Sequence, residues 1–209
     1  METGSNGYFK YDIESPVYSH NCNGHTAGAD YRAIVFRSGA MQKVWEFVER
    51  AALYDDTVLL SGATGTGKEL IAWALHKLSR RKNGVFQPVS CKFSKDTMRS
   101  DLFGNKRGAF TGADNNRDGY FRRACKGSIF LDDVSEIPLD EQASLLRVLQ
   151  DGEIFPMGVD TPLKVDVRII AASNKDLLSL VREGKFREDL YYRLNGCTVK
   201  MPLLRERVE

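Results

Sequence analysis

Thr57-Val58-Leu59-Leu60-Ser61, followed by Gly62-Ala63-Thr64-Gly65-Thr66-Gly67-Lys68-Glu69, is the stretch that decides the fold. The first five residues predict a short apolar strand. The glycine-rich run cannot continue it. Leu70, Ile71, Ala74, Leu75 and Leu78 then recur at helical spacing and predict a helix with those residues on its buried side. Strand, glycine loop and helix in that order gather backbone N–H groups and a helix N-terminus around one point, an arrangement that surrounds phosphate oxygens. Gly62, Ala63, Thr64, Gly65, Thr66, Gly67, Lys68 and Glu69 are therefore the candidate phosphate loop, with Lys68 reaching the terminal phosphates. The general pattern places Ser or Thr after the lysine to touch magnesium, and Glu69 is neither. The competing reading is a turn that merely joins strand to helix.

Outward from this unit the same alternation continues. Upstream, after Met41, Val44, Trp45, Val48, Ala51 and Ala52 follow the i, i+3, i+4, i+7 rule and predict an amphipathic helix ending near Asp55-Asp56. Downstream, residues 86–90, 128–131, 165–172 and 197–201 read as further strands. A helix follows Pro138, with Asp140 as its capping acid and Ala143, Leu146, Val148 and Leu149 turned inward. Helical turns cover residues 176–184 and 187–194. Strands alternating with helices predict an α/β fold, a parallel five-stranded sheet covered on both faces. No internal repeat is visible.

A chain of 209 residues buries roughly 70–75% of its unfolded surface, so one domain plus a tail is expected. Residues 1–33 are rich in Gly, Asn, Ser and Tyr without an apolar period and read as a linker or tail, with the domain spanning residues 34–209. Within that tail His20, Cys22 and His25 could bind a metal, but three ligands fall short of a closed tetrahedral site. A net charge of +2 gives no support to nucleic-acid binding. Cys22, Cys91, Cys125 and Cys197 show neither zinc spacing nor a disulfide framework, which suits reduced thiols in the cytoplasm. No apolar run approaches the ~20 residues of a membrane span, and the amino terminus lacks the features of a signal peptide.

Two further features carry chemistry. Asp132 and Asp133 follow the apolar run Ile129-Phe130-Leu131, which sets both carboxylates at the carboxyl edge of the sheet, where open α/β sheets bind ligands. Two acids capping the next turn is the alternative. The second feature is Gly108-Ala109-Phe110-Thr111-Gly112-Ala113, one aromatic and one hydroxyl bracketed by small residues, a composition suited to a mobile contact loop on a partner protein. Its alternative is an ordinary turn with Phe110 in the core.

The stretch from Asp101-Leu102-Phe103-Gly104 through GAFTGA resembles the AAA+ ATPase domain of bacterial enhancer-binding activators of sigma-54 RNA polymerase. The resemblance runs from about residue 34 to the end and implies a P-loop NTPase core that uses ATP and Mg2+. In such proteins the loop reads GESGTGKE, which accounts for Glu69. Asp132 then looks like the Walker B acid that holds magnesium through water. Asp133 stands where the family has Glu, the residue that orients or deprotonates the attacking water. The missing methylene shortens the reach by about 1.5 Å, and misplacement of about 1 Å can cost on the order of a hundredfold in rate. Ser90 replaces the Asn that switches this Glu between states. Ser173-Asn174 matches the sensor I pattern, with Asn174 the better candidate for reading the γ-phosphate. Arg187 and Arg193 match the arginine fingers that reach a neighbouring subunit's nucleotide, which implies a homo-hexameric ring. On one ideal helix these two arginines point about 120° apart.

The family's GAFTGA segment projects from the ring and contacts sigma-54 through its Phe and Thr, here Phe110 and Thr111. Around it Lys106, Arg122 and Pro156 replace Glu, Glu and Arg, and Phe36 replaces a Gly near the adenine. The resemblance stops at Pro202-Leu203-Leu204-Arg205-Glu206-Arg207, so the fold is expected to lack the C-terminal helical lid with its sensor II Arg, and any DNA contact to belong to a domain absent from this chain. Two functions stay open: an ATP-hydrolysing activator core, or a nucleotide-binding but hydrolysis-deficient module that binds sigma factor or partner subunits. A metabolic P-loop kinase gives no reason for GAFTGA.

Overall fold

The computed structural model describes residues 9–11, 34–36, 38–92, 94 and 97–207. In chain order its elements are β1 Phe9–Tyr11, β2 Ile34–Phe36, α1 Gly39–Ala52, β3 Val58–Ser61, α2 Lys68–Lys77, β4 Phe86–Ser90, α3 Met98–Phe103, β5 Gly104–Asn105, β6 Arg117–Asp118, α4 Tyr120–Arg123, β7 Ser128–Asp132, α5 Leu139–Asp151, β8 Glu153–Ile154, β9 Leu163–Lys164, β10 Arg168–Ser173, α6 Leu177–Arg182, α7 Glu188–Leu194 and β11 Thr198–Lys200. Short 3-10 turns follow β7 and close the described chain at Leu204–Arg207.

The central sheet is five-stranded and parallel, in the order β11-β3-β10-β7-β4. Both faces are covered, and β10 shows why its sequence runs apolar without alternation: Ile169 and Ala171 enter one core cluster, while Ile170 and Ala172 enter the other. The first cluster holds α3, α5 and α7 against the sheet, and the second holds α1 and α2. Arg168 begins β10 only 1% exposed and donates to Ala51 O at 2.7 Å and Leu75 O at 3.3 Å. One guanidinium thus ties the ends of α1 and α2 to the sheet.

Several predicted boundaries move. The strand expected over 165–172 begins at Arg168, where pairing with Ser128 starts; Val165 instead donates its N–H to Gly152 O at 2.8 Å beside the β8–β9 hairpin. The position capping α5 is Pro138, without a side-chain cap bond, and Asp140 lies inside the first turn. Leu70 and Leu78 of α2 are exposed, because the buried side of that short helix is taken by Ile71, Ala72, Trp73, Ala74, Leu75 and His76. Of the segment read as a tail, Phe9–Tyr11 pairs antiparallel with Ile34–Phe36. The possible metal ligands His20, Cys22 and His25 lie outside the described residues. No helix among the described residues is long and apolar enough to cross a membrane.

Candidate functional site

Parallel strands put all their carboxyl ends on one edge, and the register says which residues meet there. Ser173 stands opposite Ser61, and Ser90 opposite Asp132. The glycine loop leaves β3, Asn174 leaves β10 between, and Asp132 ends β7, so loop and acids are two strand spacings apart, roughly 10 Å. A nucleotide's phosphates would span that gap at the position where open α/β sheets take their ligands.

Gly67 holds φ at 84° just before α2, a left-handed turn that a side chain would resist, and it aims the first N–H groups of the helix back at the loop. Lys68 is 8% exposed, and its ammonium folds onto the loop's own carbonyls, Gly62 O at 3.0 Å and Ala63 O at 3.1 Å. Thr66 Oγ1 donates to Ala63 O at 2.8 Å. From the far end of the chain Arg207 Nη2 donates to Thr66 O at 2.5 Å and to Pro202 O at 2.9 Å. Met201 donates its N–H to Ser61 O at 2.7 Å, so the segment after β11 closes over the base of the loop.

At the end of β7, Asp133 has φ 56°, one of two non-glycine residues with positive φ among those described. Aspartate tolerates this conformation better than most residues, and such strain clusters at functional sites. Asp133 donates its backbone N–H to Asp132 Oδ1 at 3.1 Å, and its buried carboxylate pairs with Lys92 Nζ at 2.8 Å. Burial raises the Asp132 carboxyl above its ordinary value, Asp133 beside it adds to the rise, and Lys68 opposes it. A cation arriving at this edge would relieve both effects. Asn174 Nδ2 donates to Thr64 Oγ1 at 3.3 Å, whereas Ser173 turns its hydroxyl to Lys175 O at 2.8 Å.

The two arginines sit elsewhere. Arg187 precedes α7 in an extended conformation, so the 120° separation expected on one helix does not apply. Its guanidinium makes a two-bond pair with Asp189, at 3.0 and 2.7 Å. Arg193 donates to Leu149 O at 3.2 and 3.0 Å, beside a cavity at the opposite, amino edge of the sheet lined also by Asp55, Asp56 and Cys197. A side chain at that edge faces away from the glycine loop of its own chain.

GAFTGA forms the tip of a hairpin whose base is β5 and β6. The base is tied down by the Arg117–Asp101 pair at 2.6 Å and by Asn105 Nδ2 donating to Lys106 O and Asn115 O. Gly108 and Gly112 have φ 79° and 94°, and a methyl group added at either would meet no atom within 4 Å. Phe110 is 39% exposed, which excludes a core role. The second loop, between β8 and β9, braces the first: Lys106 donates its N–H to Met157 O at 2.9 Å, and Met157 donates its N–H to Gly104 O at 2.9 Å. Arg122, on α4, pairs with Asp118 of β6 at 2.9 Å rather than across to the second loop.

The Sigma-54 interaction domain model matches residues 34–200. The chain belongs to that family. Among curated proteins, the DNA-binding transcriptional regulator NtrC of Bradyrhizobium sp. (strain RP501 Parasponia) is 50% identical over 177 residues, 84% of this chain and 37% of that protein. Regulatory protein AtoC of Escherichia coli (strain K12) is 48% identical over 177 residues, 84% of this chain and 38% of that protein. The chain thus spans well under half of these relatives. Among solved structures, NtrX from Brucella abortus in complex with ATP has a TM-score of 0.77 at 35% identity, covering 83% of this chain and 38% of that one. The P-loop NTPase domain of the Sigma-54 transport activator from E. coli, at 19% identity and TM-score 0.55, shares the fold.

Three residues that touch the predicted functional residues carried no sequence signal. Lys92 touches Asp133, Arg207 touches the glycine loop, and Gln142, fully buried, accepts the Arg187 N–H at 2.8 Å while donating to Ile137 O at 2.8 Å and Lys185 O at 3.2 Å. Each contact spans separate elements, so no local spacing announces it.

Proposed function

We propose that the chain is the ATP-binding and ATP-hydrolysing α/β core, residues 34–209, of a cytoplasmic sigma-54-dependent transcriptional activator that remodels the closed RNA polymerase promoter complex as a homo-hexamer. The observation that carries this reading is one of placement: the glycine loop, Asp132, Asp133 and Asn174 share one sheet edge, and the same chain presents Phe110 on an exposed hairpin tip. Residues 62–69 bind the triphosphate, with Lys68 moving from its own loop carbonyls to the phosphate oxygens. Phe110 and Thr111, framed by Gly108, Ala109, Gly112 and Ala113, are the contact with sigma-54.

Among the described residues no cluster of three or more acids, histidines or cysteines forms a metal cage. That suits Mg2+, which is held by one or two carboxylates together with substrate phosphates and water. Asp132, pushed toward protonation by burial and by Asp133, gains from a cation beside it. When bound, Mg2+ neutralises phosphate charge. Asp133 accepts a proton from the attacking water, and Asn174 holds the terminal phosphate. Arg187 and Arg193 serve the neighbouring subunit's nucleotide after exchanging their present partners for it.

The hydrolysis-deficient alternative is favoured by one observation, the short Asp133 side chain already engaged by Lys92. Steady-state ATPase assays of the protein and of Asp133→Glu separate the two. Measurable turnover in the parent that Asp133→Asn abolishes supports the hydrolase; turnover appearing only with Asp133→Glu supports the binding module. Failure of both to bind a fluorescent ATP analogue would refute the nucleotide site altogether.

A further inference from the structure

The tip of β4 holds a contact that the family resemblance does not supply. Ser90 is opposite Asp132 in register, Cys91 extends the pairing by donating its N–H to Asp132 O at 2.8 Å, and the chain then turns with Lys92 N–H directed to Ser90 Oγ at 3.5 Å. Lys92 lies just past the end of β4, and its side chain extends across the end of β7. Its Nζ meets Asp133 Oδ2 at 2.8 Å, with the lysine side chain 60% exposed and the aspartate 8% exposed. The Asp133 backbone is fixed at both ends, its N–H by Asp132 Oδ1 and its carbonyl by the Glu136 N–H at 2.9 Å. What remains free is the direction of the carboxylate, and Lys92 sets it.

We propose that Lys92 is a positioning residue for Asp133: its ammonium draws the carboxylate toward the tip of β4, and the pair opens before Asp133 accepts a proton from water. This rests on the hydrolase reading above. It gives the exposed lysine the part that Ser90, whose hydroxyl is turned to its own strand end, does not play. Because one partner is solvent-exposed, the tie is weak and readily broken. It therefore acts on how often Asp133 is free rather than on whether the phosphate loop binds. An activity limited by the fraction of free carboxylate rises when the tie is removed, by about threefold to fivefold for a pair of this exposure.

The test compares the protein with Lys92→Ala, Lys92→Arg, Asp133→Asn and the double variant Lys92→Ala with Asp133→Asn. Steady-state ATPase is read alongside the Kd of a fluorescent ATP analogue and unfolding in urea. The expected results are a kcat for Lys92→Ala about threefold to fivefold above the parent, an unchanged Kd, parental behaviour in Lys92→Arg, and non-additive unfolding free energies across the four-way cycle. A Lys92→Ala kcat at or below the parent value, or a shift in Kd as large as the shift in kcat, overturns the proposal. If no variant turns over ATP at all, the hydrolase reading has failed, and the unfolding cycle still decides the contact: additive energies remove Lys92 from Asp133.

Discussion

Asn174 and Thr64 meet across two strands of the sheet, the Nδ2 of one 3.3 Å from the Oγ1 of the other. The contact joins the end of β10 to the glycine loop after β3 and places an amide donor at the rim of the candidate phosphate site. An amide that bonds the transferring phosphate contributes about 1.5–3 kcal/mol as a hydrogen bond to a charged group. Asn174→Ala should therefore lower kcat on the order of tenfold to a hundredfold and leave the ATP Kd nearly unchanged. A loss confined to Kd would mean that Asn174 only shapes the loop.

Lys68 is the single ammonium within the glycine loop, and it is bonded to Gly62 O and Ala63 O. Lys68→Met should weaken ATP binding on the order of a hundredfold by titration calorimetry, since a charge-assisted bond to phosphate is lost. Saturating ATP should then no longer raise the melting temperature, because ligand-linked stabilisation needs a bound ligand.

Phe110 and Thr111 stand at the tip of a hairpin braced at its base, so their removal should spare the fold and the nucleotide site. Thr111→Ala and Phe110→Ala are expected to abolish capture of sigma-54 in the presence of an ATP transition-state analogue, with Kd for ATP unaltered. Pull-down of equal amounts of sigma factor by parent and variants would refute the loop assignment.

His76, 1% exposed, shares a 2.9 Å hydrogen bond between its Nδ1 and Ser128 Oγ, and its pKa falls from the ordinary 6.5 to about 4, chiefly through burial, with Lys77 and Arg168 adding to the fall. The unfolded chain binds this proton first as pH drops. The neutral-histidine contribution is thus complete above pH 6.5 and is lost as pH falls toward about 4. It amounts to on the order of 3 kcal/mol. Urea midpoints at pH 7.5, 6, 5 and 4.5 should show the loss in the parent and a flatter profile in His76→Gln.

Gln142→Leu removes three hydrogen bonds at once and leaves the Arg187 N–H, Ile137 O and Lys185 O without that partner. A destabilisation of about 2–4 kcal/mol is expected, since buried groups stripped of a partner keep their desolvation cost. Denaturant unfolding checks it; a value under about 0.5 kcal/mol would show that water or a shifted side chain satisfies them.

Local pattern determined a good deal here. The branched run before Gly62 and the apolar run before Asp132 read as strands and form strands of the buried parallel sheet, and the apolar stripe of Met41 to Ala52 is buried as its spacing demands. The GAFTGA string, lacking helical or strand support, could be placed on an exposed loop for the same reason. Boundaries were less legible. Val165 and Arg168 fall in one segment that reads as a strand, and only pairing with Ser128 decides where the strand begins.

What tertiary structure alone decided is which side chains from separate elements occupy one place. Sequence named Asp133 but not its lysine, Arg187 but not Gln142 beneath it, and the glycine loop but not Arg207 across it. Periodicity arises from neighbours on the same element, a few ångströms apart along one backbone, and survives in the linear order. Contacts between elements depend on how the sheet orders its strands, β3 beside β10 beside β7, an order set by packing both faces of the sheet at once and written in no single stretch of the chain.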